Sequence, residues 1–175
     1  MEDYLILVDE HDKQYGKLEK QLVHELGLLH RAFSVFIFNT KGELLLQQRA
    51  DEKYHSAGLW TNTCCSHPRF GEEIKDAVTR RLEEEMGMFS EAEFAFNFIY
   101  KANFENGLTE HELDHVFFGT SDELPLPNKS EVKNWKYLPI NLIRKDMAEN
   151  PHQYTVWFKM VFERVMAKQA ALLVA

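Results

Sequence analysis

The densest group of potentially reactive residues is the segment from Trp60 to Pro68, where two adjacent cysteines are followed closely by His67. A thiol can exchange protons, and a neutral imidazole can ligate a metal. Cys64 and Cys65 are chain neighbours and the only cysteines, so an unstrained disulfide between them is not expected. This usage is typical of a reducing compartment. A buried, inert thiol is the alternative interpretation of either cysteine.

A group of acidic residues stands at the end of a predicted helix. The segment Arg80–Glu85 reads Arg-Arg-Leu-Glu-Glu-Glu and stops just before Gly87, so three carboxylates lie in the last turn, where the helix dipole disfavours negative charge. A bound cation such as Mg²⁺ would explain them, since carboxylates hold this ion while substrate phosphates fill its remaining positions. The alternative is a solvated face on which each arginine pairs with a glutamate four residues on.

A second group of possible ligands is spread along the chain. Glu110 and Glu112 are two residues apart on a predicted strand, so both carboxylates point to one face about 7 Å apart. His24 and His30 are too far apart to form a helical pair and could meet only through tertiary folding. With His67 they would offer a mixed nitrogen and oxygen shell for Zn²⁺, Mn²⁺ or Mg²⁺. Alternatively, the histidines are ordinary surface or hydrogen-bonded groups, and the glutamates form the polar face of an edge strand.

The elements that must position these residues begin with strands. Tyr4–Val8 predicts a strand, followed by a turn near His11 to Gly16 and a short polar segment reaching Gly27. Apolar residues of Ala32–Phe38 and of the stretch 43–48 are separated by turn-forming residues, which predicts a β-hairpin.

The middle of the chain predicts one helix and a second hairpin. Apolar residues at helical spacing indicate a helix over Glu72–Met86 that ends at Gly87. Beyond it, Phe94, Phe96, Phe98 and Tyr100 alternate, so they are expected on one face of a strand. A turn at Glu105–Gly107 and a strand over about Glu110–Gly119 complete the hairpin.

The last third predicts a rigid loop, a short strand and a helix. The loop is Leu124–Pro127, the strand Asn134–Leu138, and the helix starts at Asn150–Pro151 and carries Trp157. The order of strands and helices indicates a mixed β-sheet flanked by helices, of the α/β or α+β class, in a single domain over residues 1–175.

Composition limits the possible partners. A net charge of −8 and a pI near 5.5 argue against a broad nucleic-acid interface, which needs clustered Lys and Arg. No apolar stretch approaches the ~20 residues of a membrane-spanning helix. The start, Met1-Glu2-Asp3, is acidic and lacks the features of a signal peptide. We therefore expect a soluble cytoplasmic protein that binds neither nucleic acid nor membranes.

The stretch from Ser66 through Met88 resembles a Nudix box, a loop and helix that bind a metal and a diphosphate. Matching positions are Glu72, Arg80, Leu82, Glu84, Glu85, Gly87 and Met88. Ser66 departs from the opening glycine of the box, and Arg81 replaces a glutamate that helps hydrolytic members to hold metals. Arg81 should weaken multi-metal hydrolysis yet still attract a diphosphate, because guanidinium pairs bidentately with phosphate oxygens.

The segment from Trp60 to Pro68 resembles the cysteine motif of the metal-dependent isopentenyl-diphosphate isomerases, which have the Nudix fold. The resemblance extends over nearly the whole chain and implies interconversion of isopentenyl and dimethylallyl diphosphate by a 1,3-proton shift. It implies Glu112, assisted by Tyr100, as proton donor to isopentenyl diphosphate, Cys65 as acceptor, and Trp157 as the ring that faces a tertiary carbocation.

The same resemblance implies the binding residues. A divalent ion (Mn²⁺, Mg²⁺ or Zn²⁺) would be held by His24, His30, His67, Glu110 and Glu112. A second Mg²⁺ would bind with the substrate at Glu85, and the diphosphate would contact Lys20, Arg49, Lys53 and Arg81. For Tyr100 and Trp157 the alternative is a core aromatic residue, and for Lys20 and Lys53 a solvated surface lysine.

Two other functions share parts of this pattern. A nucleotide pyrophosphohydrolase would share the fold and the glutamate helix but not Cys65 or the paired Glu110 and Glu112. A non-catalytic Nudix-like binding module would not need intact proton-transfer and metal positions. The expected partner is therefore a small allylic or homoallylic diphosphate, with the chain acting as a monomer or weak homodimer.

Overall fold

The computed structural model of the protein describes residues 4–174, so the acidic start Met1-Glu2-Asp3 lies outside the described residues. Nine strands and four helices follow one another, with a short 3₁₀ turn at Pro151–Gln153. In chain order they are β1 Tyr4–Val8, β2 Gln14–Glu19, α1 Lys20–Leu26, β3 His30–Phe38, β4 Leu44–Arg49, β5 Trp60–Thr61, β6 Cys64–Ser66, α2 Ile74–Met86, β7 Ala92–Asn103, β8 Thr109–Thr120, β9 Val132–Leu138, α3 Ile140–Glu149 and α4 Val156–Val174.

All nine described strands belong to one mixed sheet whose centre is β3. This strand pairs antiparallel with β1 and β6 and parallel with β8 over nine consecutive positions, from His30↔Glu112 to Phe38↔Thr120. β7 extends the sheet beyond β8, and β9 pairs with β4. A mixed sheet flanked by helices was predicted from the sequence and is confirmed.

The sheet is buried on both faces because β3 is apolar on both sides. Phe36 and Phe38 pack with Trp157, Phe158 and other α4 side chains in a first core. Phe33, Val35 and Ile37 of the same strand pack against α2 in a second core.

Strand β8 carries Glu110 and Glu112, as predicted, and also Asp114. Glu110, Glu112 and Asp114 alternate on one face and are followed there by Val116 in the first core. The adjacent Leu113 and Phe117 face other packed clusters. Because β8 lies between β3 and β7, these carboxylates point from the middle of a sheet and not from an edge.

The first 49 residues differ from the prediction in two respects. The turn and polar segment of residues 11–27 instead contain β2 and α1. The carboxylate of Glu19 accepts the backbone amides of Gln21 and Leu22 and so caps this helix, which Gly27 ends at φ 62°. The predicted hairpin is confirmed at its turn, where β3 and β4 pair antiparallel at Phe38↔Leu44 and the backbone N–H of Asn39 donates to the carbonyl of Glu43, but Phe38↔Leu44 is the only position at which the two strands pair. They diverge because β8 and β6 occupy the sides of β3.

Two further predictions need correction. Phe94 does not share a face with Phe96, Phe98 and Tyr100, because a bulge between Phe94 and Phe96 turns its ring onto Phe117. The segment before Asn150 forms α3, which was not predicted. Asn150–Pro151 begins a single 3₁₀ turn, and α4 starts only at Val156.

The helix predicted over Glu72–Met86 is confirmed as α2, which begins at Ile74 and ends at Gly87. Gly87 has φ 61°, and a Cβ there would lie 2.4 Å from the carbonyl oxygen of Leu126. Glycine is therefore needed both for the left-handed conformation and for the close approach of the 124–128 loop. Within the described chain no helix is both long and apolar enough to cross a membrane.

We expect Gly87→Ala to lower the free energy of unfolding by about 2 kcal/mol more than Gly42→Ala. Both sites have positive φ, at 61° and 77°, so both variants lose the roughly 1–2 kcal/mol of a left-handed residue. Only Gly87 adds a clash with backbone, which costs roughly 1–3 kcal/mol, whereas a Cβ at Gly42 meets nothing within 4 Å. Urea denaturation of both variants measures the difference, and equal losses would contradict the close-approach interpretation.

Candidate active site and metal centre

One cleft brings together most of the residues singled out in the sequence. Cys65 from β6 and Glu112 from β8 both line it. Trp157 contributes from α4 and Tyr100 from β7, at the edge of the first core. The remaining predicted residues along its wall are Lys20, Arg49, Lys53, His67, Arg81, Glu85 and Glu110. His24 and His30 lie behind this wall, in contact with Glu110.

Three histidines and a glutamate converge at the inner end of the cleft. The ligand atoms of His24, His30, His67 and Glu110 all lie within 4.8 Å of one another. Glu112 joins the group, with its Oε1 2.9 Å from Nε2 of His67. α1 supplies His24, the first residue of β3 supplies His30, and β8 supplies the two carboxylates. The tertiary meeting of His24 and His30 that the sequence required therefore occurs, at 5.0 Å between ring centroids.

The backbone fixes the orientation of two imidazoles in this cluster. Nδ1 of His24 donates to the carbonyl of Lys20 at 2.6 Å, and Nδ1 of His30 donates to that of Leu28 at 2.9 Å. These bonds assign the tautomers and leave the Nε2 lone pairs directed inward. There His30 Nε2 meets His67 Nε2 at 3.2 Å. Acceptors that face each other need a proton or a cation between them, so this donor set fits a divalent metal.

Burial and the neighbouring carboxylates shift the pKa values of two histidines of the cluster in opposite directions. Burial lowers the pKa of His24, but the carboxylate of Glu110 more than offsets this, so the pKa is raised above its usual 6.5. Burial lowers the pKa of His67 to about 4, although Glu112 opposes the shift. Glu110 thus favours the protonated form of His24, whereas burial keeps His67 neutral and able to ligate.

Glu112 is held by a phenol as well as by histidines. The hydroxyl of Tyr100 donates to Oε2 of Glu112 at 2.6 Å, and burial together with the charge of Glu112 raises the pKa of Tyr100 well above 10. Burial and the charge of Glu110 raise the pKa of Glu112, but the imidazoles of His30 and His67 outweigh them and lower it overall. Glu112 is therefore a carboxylate at neutral pH, with Tyr100 as its protonated partner.

The two cysteines face opposite sides of the sheet, as alternation along β6 requires. Cys64 is fully buried in the second core, whereas Cys65 lines the cleft. Burial raises the pKa of Cys65 to about 12, and Arg49 only partly opposes this. Cys65 is a thiol at neutral pH, and it is the cysteine of the pair that faces the cleft.

The opposite end of the cleft carries the cations. Arg81 donates to Glu85 at 2.5 Å and lies 3.4 Å from Glu131, which also pairs with Lys53. The Nε atoms of Arg49 and Arg81 are buried and lack a hydrogen-bond partner. Buried orphan donors of cationic groups are costly, so an anion such as phosphate would satisfy them.

Two residues of this region were not predicted from the sequence. Asp114 continues the alternation of Glu110 and Glu112, accepts a hydrogen bond from Ser34 at 2.7 Å, and has its pKa raised well above 3.8 by burial and by Glu112. The same two-residue spacing could have indicated it. His55 places Nε2 2.6 Å from Oε1 of Glu110, and no motif or spacing marks it in the sequence.

Comparison with known proteins agrees with this geometry. A family model described as the NUDIX domain matches residues 28–158. The chain is 51% identical to isopentenyl-diphosphate Delta-isomerase 1 of Aromatoleum aromaticum over 167 residues, which cover 95% of this chain and 94% of that protein. It is 51% identical to the isopentenyl-diphosphate Delta-isomerase of Pectobacterium atrosepticum over 161 residues, covering 92% and 90%. The chain belongs to the Nudix isopentenyl-diphosphate isomerase family.

Solved structures show the Nudix fold at lower identity. A Deinococcus radiodurans protein has a TM-score of 0.71 and 19% identity, covering 85% of this chain and 90% of its own. The MutT protein of Methanosarcina mazei has a TM-score of 0.66 and 20% identity, covering 81% and 95%. At this identity the likeness concerns the fold alone.

The Nudix helix of this family member is α2, and its two arginines, Arg80 and Arg81, form ion pairs with glutamates of the Nudix box. Glu72 pairs bidentately with Arg80 at 2.7 and 2.8 Å, so this first glutamate of the box is engaged in the loop before the helix. Arg80 pairs with Glu84 and Arg81 with Glu85, four residues on in each case, as the solvated-face interpretation predicted, and Arg81 also pairs with Glu84. Glu85 differs, because it is 4% exposed and accepts Nε2 of Gln47 at 2.9 Å. Glu85 is thus the Nudix carboxylate turned into the cleft.

We expect the affinity of the cluster for a divalent ion to fall as the pH drops through the raised pKa of His24. A ligand histidine must be neutral, so below this pKa each bound ion releases the His24 proton, and affinity falls about tenfold per pH unit. His67 adds no such dependence above about pH 4. Calorimetric titration with Zn²⁺ between about pH 5.5 and 8, in buffers of different ionisation enthalpy, measures affinity and proton release. A flat profile would contradict the assignment.

Proposed function

We propose that the protein interconverts isopentenyl diphosphate and dimethylallyl diphosphate. The observation that carries this proposal is the shared cleft, in which a thiol and a carboxylate line the inner region and buried arginines with orphan donors line the outer region. Relatives at 51% identity are named isopentenyl-diphosphate Delta-isomerases. The partner is accordingly a small diphosphate ester, with the chain as a monomer or weak homodimer.

The reaction is a redox-neutral shift of a double bond. A proton adds to C4 of the alkene, a tertiary cation forms at C3, and a proton leaves C2. An unactivated alkene is a weak base, so donor and acceptor must be held on either side of the carbon chain. We assign Glu112, assisted by Tyr100, as donor to isopentenyl diphosphate and Cys65 as acceptor; the reverse reaction exchanges the roles.

The resting protonation states add a condition to this assignment. Cys65 with a pKa near 12 is a thiol, and Glu112 with a lowered pKa is a carboxylate. This is the state left after isopentenyl diphosphate has been converted, and it is ready for the reverse reaction. Conversion of isopentenyl diphosphate therefore begins only after one proton has moved from the thiol to the carboxylate. The pair therefore carries one proton before and after each turnover, and at the cation stage that proton is on the substrate.

Two cations complete the proposed site. Mn²⁺, Mg²⁺ or Zn²⁺ would be held by His24, His30, His67, Glu110 and Glu112, where its charge would offset the buried carboxylates. A second Mg²⁺ would bind at Glu85 together with the diphosphate, whose charge it would neutralise. Lys20, Arg49, Lys53 and Arg81 would bind the remaining phosphate oxygens, because their side chains all border the cleft.

Trp157 would stabilise the cation through its ring face. Its ring is 4% exposed and lines the cleft, and the guanidinium of Arg49 lies 5.3 Å from the ring centroid. The pocket must also exclude water, which would capture a tertiary cation as an alcohol. Aromatic neighbours would serve that purpose, since His55 meets Trp157 edge-on with 5.8 Å between ring centroids and Phe104 stacks on His55.

The main competing function is hydrolysis of a nucleotide diphosphate. It shares the fold, but it needs several metal-binding carboxylates on α2, and Arg81 occupies one of their positions and already pairs with Glu84 and Glu85. It also gives no role to a thiol that lines the same cleft as Glu112. Isomerisation uses both features, and we therefore favour it.

We expect purified protein with Mg²⁺ to convert isopentenyl diphosphate to its acid-labile isomer, with deuterium entering from D₂O and no release of phosphate. Cys65→Ala and Glu112→Gln should each lower kcat at least 100-fold, since proton transfer by a positioned group contributes roughly 10²–10⁴-fold. Cys64→Ala is the matched control and should retain activity, because Cys64 lies in the second core. Near-normal rates in either cleft variant would overturn the roles, and phosphate release from nucleotides without isomerisation would favour a hydrolase.

Replacement of Trp157 by Leu should lower kcat roughly 30-fold, the equivalent of about 2 kcal/mol of cation–π stabilisation. Trp157→Phe keeps an aromatic face and should lose much less. Thermal melting of both variants serves as the control, since each removes volume from the first core. Equal rates for the two variants would exclude a role for the ring face.

A further inference from the structure

We propose that His55 is a positioning residue of the metal centre, which holds the outer oxygen of Glu110 so that its inner oxygen faces the three histidines. This inference rests on the proposed divalent ion in the His and Glu cluster. His55 lies in the loop between β4 and β5, outside every motif that indicated the function.

The two oxygens of Glu110 have separate neighbours. Oε2 lies 3.1 Å from Nε2 of His24 and 3.8 Å from Nε2 of His30, on the inner side. Oε1 lies 2.6 Å from Nε2 of His55, on the other side. Glu110 is 3% exposed, so water has little access to it. A carboxylate whose two oxygens have different neighbours can bind an ion through one oxygen while a second residue holds the other.

The protonation of His55 is set by its neighbour in the chain. The hydroxyl of Ser56 lies 3.3 Å from Nδ1 of His55 and can donate to it, which leaves the ring hydrogen on Nε2. The contact of Nε2 with Glu110 is close but not aligned as a hydrogen bond, and Nε2 has no other partner among the described residues. A small rotation of the ring would align it, and the buried donor would then be satisfied.

The loop holds this ring in place from several directions. Arg49 donates to the carbonyl of His55 at 3.2 Å. The imidazole stacks on Phe104 with 4.6 Å between centroids and meets the ring of Tyr54 edge-on at 4.4 Å. Ser56 has φ 50°, a left-handed conformation that costs roughly 1–2 kcal/mol for a residue other than glycine. Such strain persists where surrounding contacts fix the backbone.

Two other roles for His55 explain less. It is not among the four residues whose ligand atoms converge within 4.8 Å, and it approaches the oxygen of Glu110 that points away from them, so it is not placed as a ligand. As a simple aromatic wall of the cleft it would not need a nitrogen 2.6 Å from a buried carboxylate oxygen. The nitrogen is what distinguishes a positioning role from packing.

The test compares Zn²⁺ affinity in four full-length proteins, by competition with a fluorescent chelator after the ion has been stripped. We expect His55→Ala to weaken Zn²⁺ binding about 10–100-fold, the range for loss of an outer partner of a metal ligand. His55→Gln, whose amide can donate to Oε1 of Glu110, should recover most of this loss. His152→Ala is the matched control and should bind like the wild type, because His152 is exposed in the 3₁₀ turn.

Melting temperatures of the stripped proteins provide the second readout. A positioning role predicts that His55→Ala and His55→Gln melt alike without Zn²⁺ and differ in affinity. The proposal is overturned if His55→Ala binds Zn²⁺ like the wild type, or if the glutamine variant is as weak as the alanine variant. If the wild type itself binds no Zn²⁺, the metal centre fails as well, and this result is distinct from unchanged affinity in a protein that binds the ion.

Discussion

The site depends on charge compensation along one face of β8. Glu110, Glu112 and Asp114 are all buried there, and ionised carboxylates at this spacing repel one another strongly in a low dielectric. Each is compensated differently. Glu110 lies among histidines and Glu112 is held by Tyr100 and His67, while Asp114 accepts a hydrogen bond from Ser34 and has its pKa raised by burial and by Glu112. Around the first two, acceptors outnumber the available protons, so the fold itself creates a need for a cation.

Much of the fold followed from local pattern, and its failures have physical causes. β8 and α2 were found because one face of each is buried and the side-chain period is visible in the sequence. α1 was missed because it has only seven residues, and its cap is a glutamate, an uncommon choice. The bulge that turns Phe94 away from Phe96 inserts one residue into a regular alternation, and nothing local marks where it falls. The hairpin of β3 and β4 forms at its predicted turn, but β6 and β8 pair with the rest of β3 and determine where the two strands diverge.

The candidate site could be predicted only as far as motifs reached. The segment around Cys65, the helix bearing Glu85 and the alternating glutamates have internal spacing that can be recognised. His55 and Glu131 have none, and they reach the site from the β4–β5 and β8–β9 connections. His55 lies 55 residues from Glu110, which it contacts, and Glu131 lies 50 residues from Arg81. Contacts of this kind are made by tertiary structure, and a single sequence carries no signal for them.

The proposed diphosphate contacts at the cationic end of the cleft would explain how an acidic protein can select this substrate. Arg81 is already paired with Glu85 and lies near Glu131, and Lys53 is paired with Glu131, so these cations are largely neutralised before substrate arrives. A simple anion would have to displace the carboxylates and leave them unpaired beside it. A diphosphate that carries a divalent cation does not face this cost, because its phosphates can take the arginines while the cation takes the released carboxylates. When a metal-bound diphosphate binds, the arginines would exchange carboxylates for phosphates and the total charge of the pairs would not change. Such binding would be favoured over that of a free anion, even though the net charge of −8 would repel anions.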